Sequence, residues 1–340
     1  MKQKDFDLIT FGRSSIDLYS QNIGADFIDI KGFDAFVGGS PLNIAVGVSR
    51  LGANASLLTG VGNDKVGDFI INFLKKQNVN TETIARIEGA RSSAVVLGIE
   101  PPDRFPLVYY RDNAADSQVT IDHVIAADIA KYKILEISAT ALNIEPSRSA
   151  VFYAIETAFE NNVEVLLDMD FRADQWKDLR SFGLMVRAIL PKVKIAIGTE
   201  EEILAATLQS ADQVQISHQQ ISAPQIKGDI EASIQKIINS GPELLIVKRG
   251  SKGATIYYKD GETQDVPGFP VKILNVLGAG DAFASGFIYG YLQGWEIYKS
   301  CRLGNACGAW VVQKSGCAND MPYQNELMQF VESRGGLMGK

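Results

Sequence analysis

The chain has 340 residues and a mass of 37.0 kDa, enough for one large α/β domain or two modest ones. Hydrophobic residues are 46% and charged residues 21%, the balance of a globular protein with a sizeable core. A formal net charge of −7 and a pI near 5.1 argue against a nucleic-acid or membrane-surface binder, since both need a basic face.

No run approaches the roughly 18 consecutive apolar residues of a transmembrane helix. The N-terminal MKQKDFDLITFG has no apolar stretch ahead of its first strand, so no signal peptide and a cytoplasmic location are expected. The spacing of Cys301, Cys307 and Cys317 suits neither a zinc ligand pair nor an even disulfide framework. They read as buried free thiols in a reducing compartment.

Taken in chain order, apolar runs at 8–12, 55–62, 132–138, 163–170, 193–198 and 243–248 predict buried strands. They are nearly continuous in hydrophobicity, as parallel strands covered on both faces are. Helical segments lie between them. The clearest runs from 40 to 52, with Ser40 as N-cap, Pro41 at the first helical position and Gly52 at the stop. This alternation predicts an α/β fold built on a doubly wound, mostly parallel sheet flanked by helices. Residues 13–37 and 90–113 are β-branched and aromatic without helical period, and predict a small second sheet projecting from a single domain. The polar stretch 209–228 reads as a solvated insertion.

Several site types are excluded. There is no G-x-x-x-x-G-K-[ST] loop and no G-x-G-x-x-G. His123 and His218 are the only histidines, both in polar surroundings, which argues against a His-rich metal site or a Ser-His-Asp triad. Carboxylates, arginines and backbone amides are left to do any chemistry.

The strongest local signal is Gly278-Ala279-Gly280-Asp281, which opens a helix rich in small residues. Small residues let successive N–H groups converge on one anion, and the helix dipole adds to the attraction. Asp281 could then take a proton from a hydroxyl while the amides hold a phosphoryl group. Taken alone, this is also ordinary turn-and-cap chemistry. So is the second signal, Gly38-Gly39 with Asn43 one turn into the following helix, followed by Gly60, Gly62, Asp64 and Gly67.

Together the three motifs, in this order and spacing, resemble the ribokinase-like (PfkB) carbohydrate kinase family over essentially the whole chain. The resemblance implies an ATP-dependent kinase that uses Mg2+ and phosphorylates a sugar or sugar-acid hydroxyl. It implies that Asp281 is the catalytic base and that Gly278, Ala279 and Gly280 form the anion hole. Asp17, Gly38, Gly39 and Asn43 match the sugar-binding positions. Lys248, Gly250 and Gly253 match the nucleotide-binding turn, and Asn305 a position beside the adenine. The segments 13–37 and 90–113 match a lid that closes over the sugar and often forms a dimer contact. Two positions depart from the family pattern. Thr199 replaces the asparagine of an N-x-x-E motif whose acidic position, Glu202, organises magnesium. Asn275 replaces an aspartate that helps bind a monovalent cation, which leaves dependence on such a cation open. GRSSIDLY, GTEEE and NVLGAGDAF resemble the branch of the family acting on a deoxy keto acid. Two arginines in family-matching motifs, Arg111 and Arg172, are the candidates to read its carboxylate by bidentate forks. A kinase of another deoxy keto acid, 2-keto-3-deoxygluconate, is the close alternative. Fructokinase- or ribokinase-type neutral-sugar kinases come next and, in a different class, a catalytically silent sugar- or nucleotide-binding regulator on the same fold.

Overall fold

A computed structural model of the chain describes residues 4–100, 105–210, 213–215 and 225–338. Strand β1 (Phe6–Phe11) opens the main sheet, and the chain leaves it for β2 (Ser15–Ser20) and β3 (Phe33–Gly38). It returns through α1 (Ser40–Arg50) to β4 (Ala55–Gly62), then through α2 (Lys65–Lys76) to β5 (Ile84–Ile87). A second excursion makes β6 (Ser93–Leu97) and β7 (Leu107–Tyr110). Helix α3 (Ile121–Ala127) leads to β8 (Tyr132–Ser138), α4 (Ser147–Glu160) to β9 (Glu164–Asp168), and α5 (Leu179–Ile189) to β10 (Ile195–Thr199). Helix α6 (Glu200–Ala206) follows, then the short pair β11 (Val214–Gln215) and β12 (Gln225–Ile226). Helix α7 (Ile230–Asn239) feeds the hairpins β13 (Leu244–Lys248), β14 (Ala254–Tyr258) and β15 (Thr263–Val266). Helices α8 (Ala279–Leu292), α9 (Ile297–Val311) and α10 (Gln324–Glu332) complete the chain.

The main sheet has nine strands in the order β15-β14-β13-β10-β9-β8-β1-β4-β5. From β13 to β5 every pairing is parallel; β14 and β15 add an antiparallel edge. Burial explains the sequence pattern: all eight residues of β4 are buried, as are six of the seven in β8. One hydrophobic core packs the sheet against α1, α2, α8 and α9, and the other packs it against α4, α5 and α7. A separate four-stranded sheet, ordered β3-β2-β6-β7, draws its strands from the two stretches expected to leave the main sheet.

Helix α1 starts differently from expectation. Gly39, at φ +111°, is the N-cap, and Ser40 is already the first helical residue. The Ser40 hydroxyl is directed to the Asp168 carboxylate instead, at 3.2 Å. No helix among the described residues is long and apolar enough to cross a membrane. Part of the stretch 209–228, and His218 within it, lies outside the described residues.

Candidate active site

Polar and charged residues of the site leave the sheet at the carboxyl ends of its parallel strands. Arg13 follows β1, Asp168 ends β9 with Asp170 and Arg172 just beyond, Thr199 ends β10, and Lys248 ends β13. Strand order reverses between β1 and β8. In open α/β sheets ligands bind in the crevice at such a reversal.

Two adjoining cavities fill that crevice. The first is lined by Arg13, Asp17, Asn43, Arg172 and Asp281, and is walled on one side by Val95 and Tyr109 of the small sheet. The second is largely apolar, with Phe269, Val271, Phe283 and Val312 among its walls; Gly250, Gly253 and Asn305 also line it. Thr199, Lys248, Val276 and Gly280 line both, so the two cavities adjoin across these four residues.

Asp281 is the third residue of α8, after the N-cap Gly278 at φ +77°. Asn43 Nδ2 donates to Asp281 Oδ2 at 2.7 Å, tying the two expected sugar-side residues together. Burial pushes the Asp281 carboxyl above its ordinary value, and the Asp170 and Asp168 charges add to this; the Asn43 bond and Arg172 oppose it. A carboxylate so raised is a better proton acceptor than a free aspartate.

Asp17 sits in a relay. Arg13 Nη1 donates to Ser15 Oγ at 3.1 Å, and Ser15 Oγ donates to Asp17 Oδ1 at 2.6 Å. A Cβ on Gly38 would collide with that carboxylate, and one on Gly39 with the Arg13 carbonyl. The paired glycines therefore let β3 and the start of α1 close against β2. Burial raises the Asp17 pKa, with Arg13 and Ser15 opposing.

Arg172 Nη2 lies 2.7 Å from Asp170 Oδ1, and Ser138 Oγ donates to Asp170 Oδ2 at 2.8 Å. Lys248 Nζ lies 3.1 Å from Asp168 Oδ1 and 3.7 Å from Glu202 Oε2. Burial alone would depress this ammonium; Asp168 and Glu202 reverse that and hold it above its ordinary value. Beneath them Glu136 of β8 is wholly buried, with neither oxygen bonded. Burial pushes its pKa well up, and the neighbouring Asp168, Asp170 and Asp281 charges add to this while Lys248 opposes it.

Thr199 and Glu202 form a capping box for α6. Thr199 Oγ1 accepts from the Glu202 amide at 3.2 Å, and Glu202 Oε2 accepts from the Thr199 amide at 2.8 Å. The other carboxylate oxygen accepts from the Phe171 amide at 3.2 Å. The spacing Thr-Glu-Glu-Glu carried this signal in the sequence. Asn275 bridges its own loop, donating to the Ser315 carbonyl at 2.9 Å and accepting from the Leu277 amide at 3.0 Å. Asn305 Nδ2 donates to the Val266 and Pro267 carbonyls, both at 3.0 Å. Among the described residues no group of three or more His, Cys, Asp or Glu side chains could hold a metal alone. All three cysteines are free and buried; Cys317 Sγ lies 3.2 Å from Tyr19 Oη at the edge of the first cavity.

Arg111 departs from expectation. It does not line the first cavity; its Nε donates to Asp116 Oδ2 at 2.7 Å in a buried pair, and its Nη1 reaches Gln175 at 3.3 Å. The guanidinium that does line the cavity beside Arg172 is Arg13, which the sequence reading passed over although it stands in GRSSID four residues before Asp17. Asp168 and Asp170 were also passed over; their signal was the alternating D-x-D at the end of a buried strand.

A doubly wound sheet, a carboxylate at the start of a helix, and an apolar cavity beside a polar one define a sugar kinase of the ribokinase-like type. The chain matches the model of the pfkB family carbohydrate kinases over residues 6–324, and it belongs to that family. The 5-dehydro-2-deoxygluconokinase of Clostridium perfringens is 30% identical over 333 residues, covering 97% of this chain and 94% of the relative. The 5-dehydro-2-deoxygluconokinase 1 of Bacillus cereus is 34% identical over 335 residues, covering 98% and 96%. An E. coli protein assigned as ribokinase II, solved in complex with ATP and Mg2+, shares the fold: TM-score 0.83, 22% identity, 96% of this chain and 99% of that one.

Proposed function

We propose that this protein transfers the γ-phosphoryl group of ATP to the 6-hydroxyl of 5-dehydro-2-deoxy-D-gluconate, as in myo-inositol catabolism. The observation that carries the reading is the position of Asp281: it lines the polar cavity, held by Asn43, next to the wall that cavity shares with the apolar one. The nucleotide takes the apolar cavity, along Gly250, Gly253 and Asn305, and the sugar acid takes the polar one. Asp281 accepts the hydroxyl proton as the sugar oxygen bonds to phosphorus and the bond to the departing ADP oxygen breaks. The amides of Gly278, Ala279 and Gly280 hold the phosphoryl oxygens, which carry the charge of the transition state. Asp17 and Asn43 bind sugar hydroxyls, while Arg172, helped by Arg13, faces the substrate carboxylate.

Glu202 suits Mg2+ only as one member of a shell completed by phosphates and water, since both its oxygens already accept backbone hydrogen bonds. When bound, Mg2+ supplies charge neutralisation at the phosphates. We read the chain as one kinase domain in which the small sheet is the lid. The Asn275 amide already supplies an N–H to its loop, so turnover without added potassium fits this reading.

A coupled ADP-release assay tests the substrate. The highest kcat/KM is expected on 5-dehydro-2-deoxy-D-gluconate, ahead of 2-keto-3-deoxygluconate, fructose and ribose. Preference for a neutral sugar would overturn the sugar-acid reading, and no turnover on any would point to a silent binder.

A further inference from the structure

Lys248 is the one lysine among the described residues lining either cavity, and it lines both. Its side chain is only 12% exposed. Asp168 takes one of its three N–H groups at 3.1 Å, while Glu202, at 3.7 Å, is an ion pair beyond hydrogen-bond length. Gly280 approaches so closely that a Cβ there would lie 3.1 Å from Nζ. The ammonium therefore faces the first turn of α8 across the junction of the cavities, with donors to spare.

On the kinase reading above, the phosphoryl group crosses this junction. We propose that Lys248 is a catalytic residue whose Nζ donates to an oxygen of the phosphoryl group in transit, with Asp168 as the residue that positions it. The bonds made and broken are those of the transfer itself: sugar oxygen to phosphorus forms, phosphorus to ADP oxygen breaks, and the hydroxyl proton goes to Asp281. Lys248 keeps its protons throughout. Because the junction lies between the ligands, the interaction strengthens as the phosphoryl moves away from ADP and contributes little to ADP held alone.

The test uses the full chain and whichever sugar the wild type turns over fastest, so a wrong substrate leaves it intact. Lys248→Met should lower kcat by about a hundredfold or more, in the range of other lost transition-state donors, with ADP affinity by calorimetry changed less than about threefold. Aluminium fluoride, a mimic of the moving phosphoryl, should tighten ADP binding in the wild type with sugar present and should fail to do so in Lys248→Met. The double variant Lys248→Met/Asp168→Asn removes the stranded carboxylate, so it keeps the question answerable even where the single variant folds poorly. Its kcat should stay as low as that of Lys248→Met. Recovery of the double variant to within about tenfold of wild type would overturn the proposal, because Lys248 would then serve only to neutralise Asp168. Parallel losses of kcat and of ADP affinity would overturn it too, since they mark uniform nucleotide binding. A wild type inactive on every sugar would overturn the kinase reading beneath it.

Discussion

The burial that raises the Asp281 pKa also weakens the fold around it. Its folded value lies above its unfolded one, so the native state holds the proton more tightly. As pH climbs through the ordinary aspartate range the unfolded chain ionises first, and stability falls until the folded value is passed. Asp281→Asn should therefore raise the melting temperature at pH 7, and the gain should vanish below about pH 3.9, where both states of the wild type are protonated. Asn43 keeps an acceptor in the new amide oxygen. Turnover should drop about a hundredfold or more. Melting curves at the two pH values and an ADP-release assay check both halves, and a variant with turnover within about tenfold of wild type would remove Asp281 as the base. Arg111 offers the opposite contrast. Arg111→Ala strands Asp116 in the interior and should cost about 3–5 kcal/mol of stability by denaturant titration, with the ratio of acid to neutral-sugar kcat/KM unchanged. Arg172→Ala should shift that ratio by about ten- to a hundredfold, the worth of one charged hydrogen bond. An equal shift from both arginines would return Arg111 to the carboxylate.

Among the elements, the small sheet is the one proposed as a lid over the polar cavity. Tyr109 and Val95 from its strands wall the polar cavity, and Tyr19 of β2 touches Cys317 next to the α8 turn. A sheet that closes over bound sugar should slow amide hydrogen exchange in β2, β3, β6 and β7 on sugar addition, with β4 and β8 of the main sheet unchanged. Unchanged protection in those four strands would make it a fixed wall. The strands buried on both faces were legible as apolar runs, and β4 and β8 begin and end where the sequence reading put them. The edge strand β15 was not, because three of its four residues are polar and it carries little apolar signal. The start of α1 misled for a different reason. Serine before proline is the usual cap pattern, yet Ser40 is drawn into the helix and its hydroxyl directed toward Asp168, 128 residues away.

At the scale of the whole molecule, the motifs picked out turns that line the two cavities, because glycine spacing and the Asp281 position are local properties of the chain. They could not say which arginine lines the polar cavity. Arg111 and Arg13 both stand in motif-like stretches, and only the fold of the chain after β7, which sets the 115–118 turn against β4, commits Arg111 to Asp116. Tertiary packing likewise brings Asp17, Asn43, Arg172, Lys248 and Asp281, scattered over most of the sequence, around one cavity.

The four residues common to both cavities have a consequence for ligand chemistry. On the kinase reading, a purine-like ring set against Phe269 and Phe283 and a polyhydroxy acid in the polar cavity could be joined by a short anionic linker past the shared residues Lys248 and Gly280. Each half would raise the local concentration of the other to about the millimolar range. Compounds of this bridged design would draw their discrimination against other nucleotide-using enzymes from the acid half alone.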